Sequence, residues 1–128
     1  MKPSTHEWVA KAEQDFSAAC GLIRRKRATY DTVCFLCQQC VEKYLKARLD
    51  EAGLSIPRIH ACAALLIILL PVEPFWVPFD PMLRLMSAYA VKFRYPGHNA
   101  AKQDAQQALR DCKVLRKEVR LSLGLPAK

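Results

Sequence analysis

Apolar positions recur at helical spacing along almost the whole chain. Trp8, Ala12, Phe16, Ala19 and Ile23 form the first such stripe. Pro3 and the pair Ser4 and Glu7, spaced as a capping box, mark where this helix should begin. The stripe runs into Arg24-Arg25-Lys26-Arg27. These four cations read either as the last turn, where they suit the negative end of the helix dipole, or as a phosphate-facing patch. A second helix is predicted from Asp31 or Thr32 to Ala52, with Gly53 as its left-handed stop. Its main stripe is Val33, Cys37, Val41, Tyr44 and Leu45, flanked by Leu36, Cys40 and Leu49. Gln38, Gln39, Glu42, Lys43 and Lys46 fill the gaps, and Glu42, Lys43 and Lys46 read as the solvated face of a core helix.

Residues 60–70 are almost wholly apolar and predict a short helix stopped by Pro71. A helix that is apolar on all sides must be surrounded by others. Residues 71–81 interleave Pro71, Pro74, Pro78 and Pro81 with Phe75, Trp76 and Phe79. That mixture predicts an extended connector pinned by aromatic anchors, with an exposed docking loop as the alternative. Asp80-Pro81 is a helix start. The fourth helix carries Leu83, Met86, Tyr89, Ala90 and Phe93 and ends at Tyr95-Pro96-Gly97. A fifth begins near Asn99, with Ala101, Ala105, Ala108, Cys112, Leu115, Val119 and Leu123 as its stripe and Gly124 and Pro126 closing it. No segment alternates as a strand does. The predicted fold class is all-α, one domain over residues 1–128, with five helices of which four are long or medium and one is short.

Composition narrows the function classes. With 52% hydrophobic residues, the 128-residue chain can build a core, which excludes intrinsic disorder. Its longest apolar stretch, residues 61–72, is interrupted by Pro71 and falls well short of the roughly 20 residues a membrane span needs. The N-terminus turns amphipathic at once and lacks the apolar run of a signal peptide, so the expected location is the cytoplasm, with no membrane partner. Six Cys in that setting are expected as reduced thiols rather than a disulfide framework. The formal charge is +8, from 20 Lys and Arg against 12 Asp and Glu. A polyanion is therefore a plausible partner, because clustered cations gain by releasing counterions from phosphates.

Few residue patterns suggest chemistry. Cys34, Cys37 and Cys40 have metal-like spacing. On a continuous helix, however, each three-residue step turns about 300°, so their side chains diverge. They are expected as buried, hydrophobe-like thiols, with no metal and no cofactor. No Gly-rich phosphate loop, nucleophile elbow or paired acid and base is present. The remaining candidates are Arg94 and His98, which flank a Pro-Gly break between two helices. There an Arg can fix a phosphate and a His can shuttle a proton near neutrality.

Several segments together resemble one family. These are the Trp8-x-x-x-Ala12 opening, residues 38–47 (Gln-Gln-Cys-Val-Glu-Lys-Tyr-Leu-Lys-Ala), Ile59-His60 ahead of the third helix, and Tyr89 ahead of Arg94-Tyr95-Pro96. The combination resembles the HEPN domain, named for higher eukaryotes and prokaryotes nucleotide-binding, over roughly residues 5 to 122. The resemblance implies an up-and-down helical bundle, working as a homodimer. It also implies nucleotide or RNA binding beside a minimal nucleotidyltransferase, in a toxin–antitoxin-like module. Arg94 matches the family's Arg position and His60 a position at the head of the third helix. The phosphate-binding set then comprises Arg94, Tyr95, Lys43, Lys46 and His60. Many members are metal-independent endoribonucleases with four to six residues between an Arg and a His. Here Arg94 and His98 are the catalytic candidates, although only three residues separate them and Tyr95 follows the Arg. A pure protein-interaction module is the third reading.

Overall fold

The computed structural model describes all 128 residues. Its helices are α1 (Pro3–Ile23), α2 (Tyr30–Glu51), α3 (Cys62–Leu69), α4 (Asp80–Lys92) and α5 (Lys102–Ser122), with a 3₁₀ helix at Pro74–Phe79 between α3 and α4. No strand is present. Helix α2 is the axis, packed by all four of the others. Its stripe of Val33, Cys37, Val41, Tyr44, Leu45 and Leu49 is buried, and it meets Ala12 and Ala19 of α1, Leu65 and Leu69 of α3, Leu83 and Met86 of α4, and Ala105, Cys112, Leu115 and Val119 of α5.

Side-chain bonds fix the directions of the helices. Lys2 at the start of α1 reaches the end of α2, where its ammonium donates to the carbonyl of Asp50 (2.9 Å), so α1 and α2 are antiparallel. At the start of α2, the Asp31 carboxylate accepts the Ala100 N–H (2.6 Å), and near its end Arg48 donates to Ser122 (2.7 Å). Helices α2 and α5 therefore run parallel, as alternation of the four longer helices α1, α2, α4 and α5 requires. Gly53 closes α2 at φ +73°. In that closure the Leu54 N–H returns to the Leu49 carbonyl and the Gly53 N–H to that of Asp50, both at 3.0 Å, a Schellman stop.

Four local expectations are corrected. Ser4 and Glu7 do not form a capping box: Lys2 is the N-cap, and the hydroxyls of Ser4 and Thr5 instead donate to Asp50 (2.6 and 2.9 Å). Those bonds hold the Asp50 carboxyl below its ordinary range. Because α1 stops at Ile23, residues 24–27 lie beyond its last turn, in the exposed connector. Residues 71–81 are not extended: Pro74–Phe79 wind into the 3₁₀ helix and Asp80 and Pro81 open α4, with Trp76 as the buried anchor and Phe75 90% exposed. The φ that proline imposes suits a 3₁₀ turn as well as an extended chain, so the prolines alone do not discriminate. Helix α3 starts at Cys62 rather than His60, and it is not fully enclosed, because Ile67 is 59% exposed.

Candidate phosphate-binding groove

Positions 35, 38, 39 and 42 of α2 lie three and four residues apart and share one face. Ser87, Ala90 and Val91 of α4 line up opposite, with Arg94 just past the helix end and His60-Ala61 closing one side. Together these residues line a cleft of about 380 Å³. A second hollow of about 260 Å³ adjoins it, lined by Asp31, Thr32, Phe35, Ala90, Phe93 and Arg94. Phe35, Ala90 and Arg94 belong to both, so they form the shared wall.

Arg94 sits with its guanidinium 5.3 Å from the Phe35 ring centroid. Its side chain forms no ion pair with any carboxylate, and the residue is exposed. A cation held over an aromatic face keeps its donors free for an incoming anion.

Glu42 organises the inner wall. One of its oxygens accepts from Lys46 Nζ (3.0 Å) and from His60 Nδ1 (3.2 Å), and the other from Gln38 Nε2 (3.2 Å). Gln38 Nε2 also donates to the His60 carbonyl (3.0 Å), while Gln39 donates to Gln38 Oε1 (2.8 Å). The Glu42 carboxylate is thus held by three donors, one of them the Lys46 ammonium that balances its charge. Ser87 accepts the Cys62 N–H (3.3 Å), tying the start of α3 to α4. Behind the wall, Lys46 lies 5.8 Å from the Trp8 ring of α1.

The solvated-face expectation for Glu42, Lys43 and Lys46 is therefore overturned at Glu42 and Lys46, which are only 4% and 6% exposed. They read as surface residues because an i,i+4 Glu–Lys pair looks the same on a solvated helix as on one covered by two neighbours.

The sequence-derived candidates separate in space. Arg94 and His60 line the same cleft, and Lys46 stands behind it through Glu42. Lys43 points to α1 and pairs with Asp15 (2.5 Å), outside the cleft. Tyr95 and His98 are exposed in the α4–α5 loop and line neither hollow. Phe35, Gln39 and Ser87 line the cleft without being among the site residues that the sequence singles out. Phe35 carries a usable signal, being an aromatic off the apolar stripe of its own helix.

Cys34, Cys37, Cys40, Cys62 and Cys112 are buried. Burial pushes the Cys34 and Cys62 thiols up to about 12, so both remain protonated and behave as small packing groups.

The model of the HEPN domain matches residues 5–122. The fold is similar to the crystal structure of TT1696 from Thermus thermophilus, with a TM-score of 0.81 at 18% identity over 94% of this chain and 98% of that one. It is also similar to ST0689, an archaeal HEPN homologue, with a TM-score of 0.68 at 22% identity over 96% of this chain and 99% of that one. No curated protein matches.

Proposed function

The chain belongs to the HEPN domain family, and on that basis we propose that it binds nucleotide or RNA in the α2–α4 cleft, with Arg94 as the principal phosphate contact. The observation that carries this reading is the unpaired Arg94 guanidinium stacked on Phe35, across the cleft from His60. Phe35 supplies a face for a base, Arg94 the charge for a phosphate, and Gln39 an amide for a base edge or ribose.

The test is a fluorescence anisotropy titration of a labelled single-stranded RNA. Arg94→Ala should weaken binding by roughly ten-fold or more, the scale of one charge-assisted contact. It should also flatten the salt dependence by about 0.7 log units per decade. Stability should shift by less than about 0.5 kcal/mol, because the side chain is exposed. Equal affinity in the variant would refute the assignment.

One observation favours catalysis as a second reading. His60 Nδ1 lies 3.2 Å from Glu42, and with the ring proton on that nitrogen Nε2 is the basic atom of a residue that lines the cleft with Arg94. In that scheme Nε2 takes the ribose 2′-hydroxyl proton, the 2′-oxygen attacks phosphorus, and the 5′-oxygen leaves with a proton from water. Arg94 would stabilise the charge on phosphorus. His98 has no part in it. The binding reading expects RNA from the same titrations to stay intact with chelator present; cleavage that disappears in His60→Ala would establish the enzyme instead.

A further inference from the structure

The largest block of cations in the chain takes no part in the α2–α4 cleft. Arg24, Arg25, Lys26 and Arg27 are all exposed. None of them joins an ion pair or donates a side-chain hydrogen bond to α1, so no carboxylate of the fold takes up their charge. Four adjacent like charges repel one another, and such a cluster is neutral at best for stability.

Their position gives them a common direction with Arg94. The bond from the Ala100 N–H to Asp31 fastens the α4–α5 loop to the start of α2, directly beside the α1–α2 connector. Residues 24–27 therefore share one end of the bundle with Lys92, Arg94 and Lys102, which are also exposed and unpaired. The two carboxylates at this end are already engaged by backbone: Asp31 by Ala100, and Asp104 by the Ala101 N–H (2.8 Å).

The surface between the two cationic groups is shaped as well as charged. Arg25 lines a shallow hollow of about 370 Å³ with Ala18, Gly21, Leu22 and Leu36. Leu36 adjoins Phe35 on α2, and Phe35 is the wall of the Arg94 hollows. A path thus runs from Arg25 over Leu36 and Phe35 to Arg94.

We propose that a single-stranded polynucleotide crosses the N-terminal third of α2 along this path, with residues 24–27 and Arg94 gripping phosphates on either side and Phe35 stacking a base between them. The inference rests on the phosphate-binding reading of Arg94 and extends it from one nucleotide to a strand. Alternating phosphate grips and an aromatic face are what a strand requires, since each base offers a stacking face and each linkage a charge. An anionic membrane fits less well, because a flat headgroup surface needs no hollows, whereas Arg25 and Arg94 each line one.

The experiment compares labelled oligouridylates of about three and about twelve nucleotides, with oligothymidylate of the longer length and phosphatidylserine vesicles as further arms. The variants are Arg94→Ala and the triple Arg24→Ser/Arg25→Ser/Arg27→Ser, each checked for an unchanged thermal melt. Wild type should bind the longer strand more tightly than the shorter. The triple variant should lose roughly ten-fold or more on the longer strand, with its salt slope reduced by about two log units per decade, while the short oligonucleotide is held as before. Binding of the thymidylate as well as the uridylate would make the shared phosphodiester backbone the ligand; binding of the uridylate alone would add the 2′-hydroxyl. Either result supports the strand path. The path is overturned if the triple variant holds the longer strand like wild type, if length has no effect, or if only vesicle binding depends on residues 24–27. Arg94→Ala should weaken both lengths. If it weakens neither while the triple variant weakens the longer strand, the cleft reading fails, and the crossing path fails with it.

Discussion

Replacing Glu42 with Ala is expected to destabilise the protein by about 3–5 kcal/mol, read from urea unfolding, because it strands a buried ammonium. The Lys46 side chain is 8% exposed, and Glu42 is its sole anionic partner. Without that carboxylate, Lys46 faces the Trp8 ring alone, and a cation–π contact replaces only part of the lost interaction. Gln38 also loses an acceptor, and His60 loses the bond that orients its ring. The double variant Glu42→Leu/Lys46→Met should recover most of the loss, since a well-packed apolar pair is often no worse than a buried ion pair. If the single and double variants prove equally unstable, the defect lies in packing and not in the orphaned charge.

The second large effect belongs to Glu13, where α1, α2 and α5 meet. Its carboxylate accepts two bonds from Arg116 (both 2.7 Å) and one from Tyr44, with Arg120 close by at 3.8 Å. Burial pushes the Glu13 carboxyl up, but the hydrogen bonds of Arg116 and Tyr44 and the charges of Arg116 and Arg120 outweigh it and hold the group below 4.5. Glu13→Gln should cost about 2 kcal/mol at neutral pH, less than a fully buried pair because a third of the side chain meets solvent. The depressed folded-state value also sets the sign with pH. Glu13 contributes its stability above about 4.5 and loses it as pH falls through the lower folded value. The gap in stability between wild type and Glu13→Gln should therefore narrow as pH drops from about 5 towards 3. A gap that stays constant over that range would show that the charge is not what matters.

The helices are legible in the sequence because each buries one stripe, and periodicity reports a stripe directly. Their stops are legible where glycine chemistry is local, as at Gly53 with φ +73°. What periodicity does not convey is tertiary. Ser4 has the spacing of a cap, yet its hydroxyl goes to Asp50, 46 positions away. Glu42 and Lys46 look like a surface pair until α1 and the α2–α3 connector cover them. The candidate site shows the same division. Arg94 is identifiable from its place at a helix end, and its nearest histidine in sequence is His98. The fold instead sets His60 in the cleft with it, because the α2–α3 connector passes beside the end of α4. No spacing rule along one helix joins residues from two separate connectors.

The central assignment, that Arg94 and Phe35 form the wall of a phosphate-binding cleft, is tested most directly by nitrogen-15 NMR during titration with a single-stranded RNA. The Arg94 Nε–H, the Gln39 side-chain amide and the backbone amides of Phe35, Ala90 and Val91 are expected to shift together and saturably. Amides around Ile67 and Phe75, away from the cleft, should stay in place. Shifts confined to the Ile67 and Phe75 region, or no shift at all at saturating RNA, would contradict it.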